Sequence, residues 1–208
     1  HAAGALLVLD AVQAVGILPV YPRELGADVL VAAAYKGLMS AHGAGFVYVK
    51  ESVLSRLVPS HLYMFNIEGE RGMVGNAFTS PDYTLLPTAV RLQMPQHAVG
   101  VAQMNQGLEL ILELGIEQIA EHVCSLASKL GQGLADLGYT VDTPLTPEYL
   151  RHIICVREPE ASKLVEFLAE NGVQASARRH GVRMAFHAYN NEADVERALA
   201  VLKAYKER

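Results

Sequence analysis

The sequence predicts an α/β fold: a partial mixed sheet in the first half, then two long helices and a small α+β subdomain. Three observations carry this. Residues 6–9 and 29–34 are short continuous apolar runs, each followed closely by a charged side chain, Asp10 and Lys36. That is the pattern of strands buried on both faces of a sheet. Apolar residues recur at three-and-four spacing through residues 99–114 and 116–137, the period of amphipathic helices. From residue 149 onward strand-like and helix-like patterns alternate, as in helices packed on a small antiparallel sheet. The expected division places residues 1–97 in the first domain and 98–208 in the second.

Taken in order, residues 6–10 form the first strand and residues 17–20 a short extended piece. Residues 23–26 read as a helical turn ended by Gly26. Residues 28–34 form the second strand and deliver Tyr35 and Lys36 at its C-terminal end. Residues 40–45 carry glycine-rich turn chemistry, and residues 46–49 are the third strand. The first two strands are expected to be parallel neighbours, because residues 11–27 are just long enough for a crossover, and the third antiparallel. Residues 59–95 lose periodicity and read as loop with short elements. Gly115 separates the two long helices and Gly138 closes the second. In the tail, residues 149–156 read as a strand and 160–171 as a helix stopped by Gly172. Residues 173–178 and 182–187 are strands about a turn at His180–Gly181, and residues 191–205 form a closing helix.

Composition narrows the function classes. Half of the 208 residues are apolar, which supplies a sizeable core. The formal charge is 17 − 22 = −5 with no block of like sign, so neither a nucleic-acid footprint nor a basic membrane-binding face is present. No apolar run approaches the ~20 residues that cross a bilayer. Cys124 and Cys155 lie in apolar stretches without metal-ligand spacing and read as reduced thiols of a cytoplasmic protein with no metal site. The first strand follows residue 1 so closely that a truncated chain is expected.

The chemistry lies in Asp10, Gln13 and Lys36. Singly, each has an ordinary reading: an acid at a strand end caps a turn, a lysine there is solvated, and a lone glutamine says nothing. Together they sit where open α/β sheets bind ligands, at the carboxyl ends of strands. A carboxylate and a primary amine facing one another across a small ligand are what pyridoxal phosphate requires. The amine forms the Schiff base, and the carboxylate keeps the pyridine nitrogen protonated so that the ring withdraws electrons.

The run from Gly4 through Asp10, Gln13, Gly16 and Pro19, then Leu25-Gly-Ala-Asp28, Tyr35-Lys36 and Gly43-Ala-Gly45-Phe-Val-Tyr-Val49, resembles the class V aminotransferases, fold-type I enzymes that use pyridoxal phosphate. The resemblance implies that Lys36 is the catalytic Schiff-base lysine, that Asp10 pairs with the pyridine nitrogen and that Gln13 meets the ring hydroxyl. Gly181-Val-Arg183-Met-Ala-Phe-His187-Ala-Tyr189-Asn190 is similar to the family's closing motif. It implies that Arg183 grips the substrate carboxylate, a task suited to a bidentate guanidinium; a surface ion pair is the ordinary alternative. Arg178 is a second candidate. The resemblance covers the C-terminal portion of such an enzyme and is thin between residues 50 and 97. In the family, the N-terminal half supplies the phosphate cup and the group stacked on the ring. The pattern departs at Ala33, where many relatives carry a serine or threonine, and at Met94-Pro95, which aligns with a Gly-Thr pair reaching the partner subunit's phosphate. His42 and His97 read as surface histidines.

Desulfurase chemistry needs a thiolate on an accessible loop between the last two strands, and residues 179–181 hold no cysteine there. The short turn is more like the epimerase and kynureninase branches. The expected function is a pyridoxal-phosphate enzyme acting on an amino acid by transamination, epimerisation or lyase chemistry, as a homodimer with no nucleic-acid or membrane partner. The alternative is a non-catalytic remnant that folds and self-associates without cofactor; an unrelated α/β ligand-binding domain is the third reading.

Overall fold

The computed structural model describes residues 1–63, 65–68, 83–95 and 97–208. The chain divides into two compact units, one of residues 1–16 and 20–110, the other of residues 17–19 and 111–208.

The first unit is built on a three-stranded sheet in the order β1-β2-β3, comprising Val8–Asp10, Val29–Ala33 and Gly45–Val49. β1 runs parallel to β2, and β2 antiparallel to β3, as expected. Leu9, Leu30 and Tyr48 share one register row, and this face packs with Ala11, Val15, Val20 and Ala32 into a core. Alternation sends Val8, Val31 and Val47 to the opposite face. There Val8 is 58% exposed, Val31 38% and Val47 37%. The expectation that the first strand is buried on both faces is therefore corrected: Val8 and Asp10 on its second face are exposed, although Val29 of β2, on the same face, is buried. Residues 12–17 wind through turns, and the short piece at 17–20 that follows stays outside the ladder. The turn at residues 23–26 ends as expected, with Gly26 at φ 68° and the Ala27 amide donating to the Pro22 carbonyl.

Asp28 fastens this sheet. Its buried carboxylate accepts the Leu7 amide at 2.9 Å and pairs with His1 Nε2 at 2.8 Å, while Lys50 Nζ stands 3.8 Å away. A buried acid without such partners would cost several kcal/mol. After β3 comes the single turn α1, Glu51–Leu54. Part of the expected loop, residues 69–82 together with Met64 and Gln96, lies outside the described residues. In the rest, buried Asn66 accepts the Tyr63 amide and donates to the Val90 and Gln93 carbonyls, organising a short 3-10 turn at Ala89–Leu92. The first long helix, α2, spans Ala98–Leu114.

In the second unit, α3 spans Ile116–Asp136, β4 Ile153–Arg157, α4 Ala161–Glu170, β5 Ser176–Arg178, β6 Gly181–Ala185 and α5 Glu192–Lys206. Positive φ at Gly115 and Gly138 delimits α3 as the sequence predicts. The sheet order is β4-β6-β5, all antiparallel. Its inner face, Ile154, Val156 and Val182, is fully buried, as are Val123, Leu126 and Leu130 of α3, Leu164 and Leu168 of α4 and Leu202 of α5. The turn before α5 is a capping device. Asn191 Oδ1 accepts the Ala193 amide, and Asp194 accepts both the Asn191 amide and Asn190 Nδ2. These hydrogen bonds, chiefly the one from Asn190, hold the Asp194 carboxyl below its usual range. Among the described residues, no helix is long and apolar enough to cross a membrane.

Candidate functional site

Asp10 closes β1 in register with Val31 of the parallel neighbour, and Lys36 lies three residues beyond the end of β2. Both therefore emerge at the carboxyl end of one parallel pair, the arrangement that makes ligand crevices in α/β sheets. The Asp10 side chain is exposed, and its Oδ1 accepts the Val12 amide at 3.0 Å in a tight local turn. Gln13 is exposed in the turn that follows. Gly16 brings this turn against the lysine loop. Its φ is 85°, and a Cβ there would lie 2.3 Å from the Gly37 carbonyl oxygen, so only glycine allows the approach. Asp10, Gln13 and Lys36 thus belong to two contiguous turns of the first unit.

Lys36 is half-buried, with Nζ 5.5 Å from the centre of the Tyr35 ring. The other face of local order is the Tyr35–His42 stack, with ring centres 4.2 Å apart and planes 23° from parallel. His97 Nδ1 accepts the Gly100 amide at 3.2 Å and so caps α2. The two histidines read as surface residues are exposed, yet each holds a specific contact. The His97 cap is a local contact three residues along the chain, whereas the Tyr35–His42 stack depends on how the loop between them folds.

Arg183 belongs to the second unit. It is half-buried on β6, in register with Cys155 of β4 and Ser176 of β5. Arg178, at the end of β5, donates from Nη1 to the Ala177 carbonyl. A shallow 330 Å³ cleft nearby is lined by Arg178, Arg179, His180, Asp142 and Cys155. Neither cysteine lies on a mobile loop. Cys124 is within α3, its thiol pushed up by burial, which the Arg151 charge only partly opposes, and Cys155 is inside β4, where Thr143 Oγ1 accepts its amide.

The donor set fits the ring end of pyridoxal phosphate: a carboxylate with a free oxygen direction, a half-buried primary amine and an exposed amide. At the phosphate end, Ala33 is paired in the ladder with Gly45 and brings no hydroxyl, and Pro95 is exposed and brings no amide donor. Ser40, the nearest hydroxyl in the lysine loop, donates to the Gly100 carbonyl at 2.6 Å.

Comparison with known proteins identifies the family and the fold. The family model described as aminotransferase class-V matches residues 1–198. An uncharacterized aminotransferase of Schizosaccharomyces pombe is 27% identical over 95% of this chain and 50% of its own length. A kynureninase of Bacillus anthracis is 26% identical over 98% of this chain and 48% of its own. Among solved structures, the cysteine desulfurase of Thermococcus onnurineus superposes with a TM-score of 0.84 at 22% identity, over 98% of this chain and 53% of that one. The fold recurs, at a TM-score of 0.77 and 18% identity over 92% of this chain and 49% of that one, in a C-DES mutant solved with glycine covalently linked to its pyridoxal-phosphate cofactor. The chain spans about half the length of these relatives. With the fold-type I architecture and a family match over nearly every residue, this chain belongs to the class V aminotransferase family.

Proposed function

We propose that this chain supplies the attachment lysine and the ring-nitrogen carboxylate of a pyridoxal-phosphate enzyme acting on an amino acid. The observation that carries the reading is the delivery of Asp10 and Lys36 to the same end of one parallel strand pair, with Gly16 packed against the Lys36 loop. When bound, the cofactor withdraws electrons from the substrate's α-carbon, chemistry common to transamination, epimerisation and lyase reactions. Lys36 would hold the cofactor through its amine, and the same amine would then be placed to carry protons to and from the substrate. Asp10 would accept a hydrogen bond from the protonated ring nitrogen and Gln13 would donate to the ring hydroxyl oxygen, while the family resemblance assigns the substrate carboxylate to the guanidinium of Arg183. The cysteine positions favour the epimerase-like and kynureninase-like branches over desulfuration, because neither thiol lies on the β5–β6 turn. The protein acts as a cytoplasmic homodimer in this reading.

Borohydride reduction after adding pyridoxal phosphate tests it. A stable adduct should map to Lys36 and vanish in Lys36→Ala, and Asp10→Asn should diminish the visible absorbance of the complex without unfolding the chain. An undiminished adduct in Lys36→Ala would rule this lysine out. A second reading, a chain that folds without holding cofactor, is favoured by one feature: Ala33 and Pro95 offer no phosphate donors and Ser40 Oγ already donates elsewhere. On that reading no adduct forms on any lysine at micromolar cofactor.

A further inference from the structure

The loop carrying Lys36 is tied down at both ends and along its length. The Ser40 amide donates to the Ala34 carbonyl at 3.0 Å, closing a ring of seven residues with Lys36 inside it, and the Met39 amide donates to the Lys36 carbonyl at 2.9 Å. Met39 takes φ 54°, a left-handed conformation that costs a residue bearing a side chain of this size. Such a conformation persists only where surrounding contacts over-determine it.

Those contacts come from one face of α2. Ser40 Oγ donates to the Gly100 carbonyl at 2.6 Å, and the Ala41 amide donates to Gln103 Oε1 at 2.9 Å. A Cβ on Gly107 would lie 2.3 Å from the Leu38 carbonyl oxygen, and one on Gly100 would lie 3.0 Å from the Ala44 Cβ. Positions 100, 103 and 107 recur on one helical face at three-and-four spacing. Glycine inside a helix gives up roughly 1 kcal/mol of propensity relative to alanine. α2 accepts that loss twice where the lysine loop touches it, which makes the close approach, rather than helix formation, the reason for these residues.

We propose that α2 is the clamp that shapes the Lys36 loop, with Ser40 and Gln103 as positioning residues for the lysine amine. The assignment rests on Lys36 being the attachment lysine of the function proposed above. It assigns to the helix a task that neither residue's type announces: holding Nζ against the Tyr35 ring, half-buried, before any ligand arrives.

Competitive acetylation with acetic anhydride, quantified by mass spectrometry against exposed Lys129 in the same sample, reads the position of the Lys36 amine without cofactor. Amide hydrogen exchange over residues 37–44 reads the loop. In Ser40→Ala and Gln103→Leu, exchange there should quicken about fivefold, the effect of losing one neutral hydrogen bond, and Lys36 should acetylate at least twofold faster. Gln103→Glu retains an acceptor oxygen for the Ala41 amide and should match the parent chain. Gly107→Ala, although it favours the helix, should loosen the loop further. Unchanged Lys36 acetylation in both Ser40→Ala and Gln103→Leu would overturn the clamp, as would a Gln103→Glu variant as loose as Gln103→Leu. If the clamp is found but no borohydride-stable pyridoxal phosphate adduct forms on Lys36, only the functional reading fails and the loop geometry stands.

Discussion

Each unit has a three-stranded sheet, and the two are clothed very differently. In the second unit Ile154, Val156 and Val182 are fully buried, with α3 and α4 packed on the sheet and α5 packed on those two helices. In the first unit one face is packed, while Val8, Val31 and Val47 on the other are between 37% and 58% exposed. Asp10 lies on that second face, in the same register row as Val31 and Val47. The second sheet is finished as a hydrophobic core, whereas the first leaves Val8, Val31 and Val47 partly exposed beside Asp10.

If the second sheet is the self-sufficient one, breaking its core should have the largest effect. Leu168→Ala should cost about 2–5 kcal/mol in denaturant unfolding, because a fully buried leucine leaves both lost transfer energy and a cavity. Val47→Ala on the open face should cost under about 1 kcal/mol. Equal losses at the two positions would erase the contrast between the two sheets.

The open face makes a second expectation, on association. An unpaired apolar strand edge is a template for pairing with another chain, and a cluster of exposed apolar side chains favours association. The 208-residue chain should self-associate, and Val8→Lys with Val47→Lys should weaken this at least tenfold, roughly 1.4 kcal/mol, in light scattering across a concentration series. A parent chain that stays monomeric at high concentration would remove the open face as an association surface.

A smaller effect sharpens the comparison from the side of the second unit. The Tyr139 hydroxyl donates to the Leu202 carbonyl at 2.8 Å, and burial pushes its ionisation up to about 12 from the ordinary 10. A folded-state value above the unfolded one means full stability below pH 10, lost as pH rises from 10 towards 12. Tyr139→Phe should cost about 1 kcal/mol at neutral pH and flatten that alkaline decline. An alkaline decline equally steep in Tyr139→Phe would assign it to other groups.

Much of the candidate site is legible in the residues. Asp10, Gln13 and Lys36 stand out by type and by position after apolar runs, and the helix limits at Gly115 and Gly138 follow from local backbone preference. Less legible is what each side chain meets. Asp28 passes for one more strand-end acid until it is seen holding Leu7, His1 and Lys50 together. Asn66 looks like loop polarity, yet it is the buried centre of three hydrogen bonds.

Features governed by neighbours along the chain are readable from residue order: the succession of strands and helices, the parallel pair with its crossover, the glycine stops, and the placement of an acid and a lysine at strand ends. These follow from period, propensity and turn chemistry within a few residues. Which strand faces are covered, that Gly16 and Gly37 meet, and that Ser40 and the distant Gln103 hold the same loop emerge only in three dimensions. The physical reason is range. A hydrophobic period says that a face wants a partner, and a polar side chain says that it wants a hydrogen bond, but the partner is supplied by distant segments whose approach depends on every contact between them.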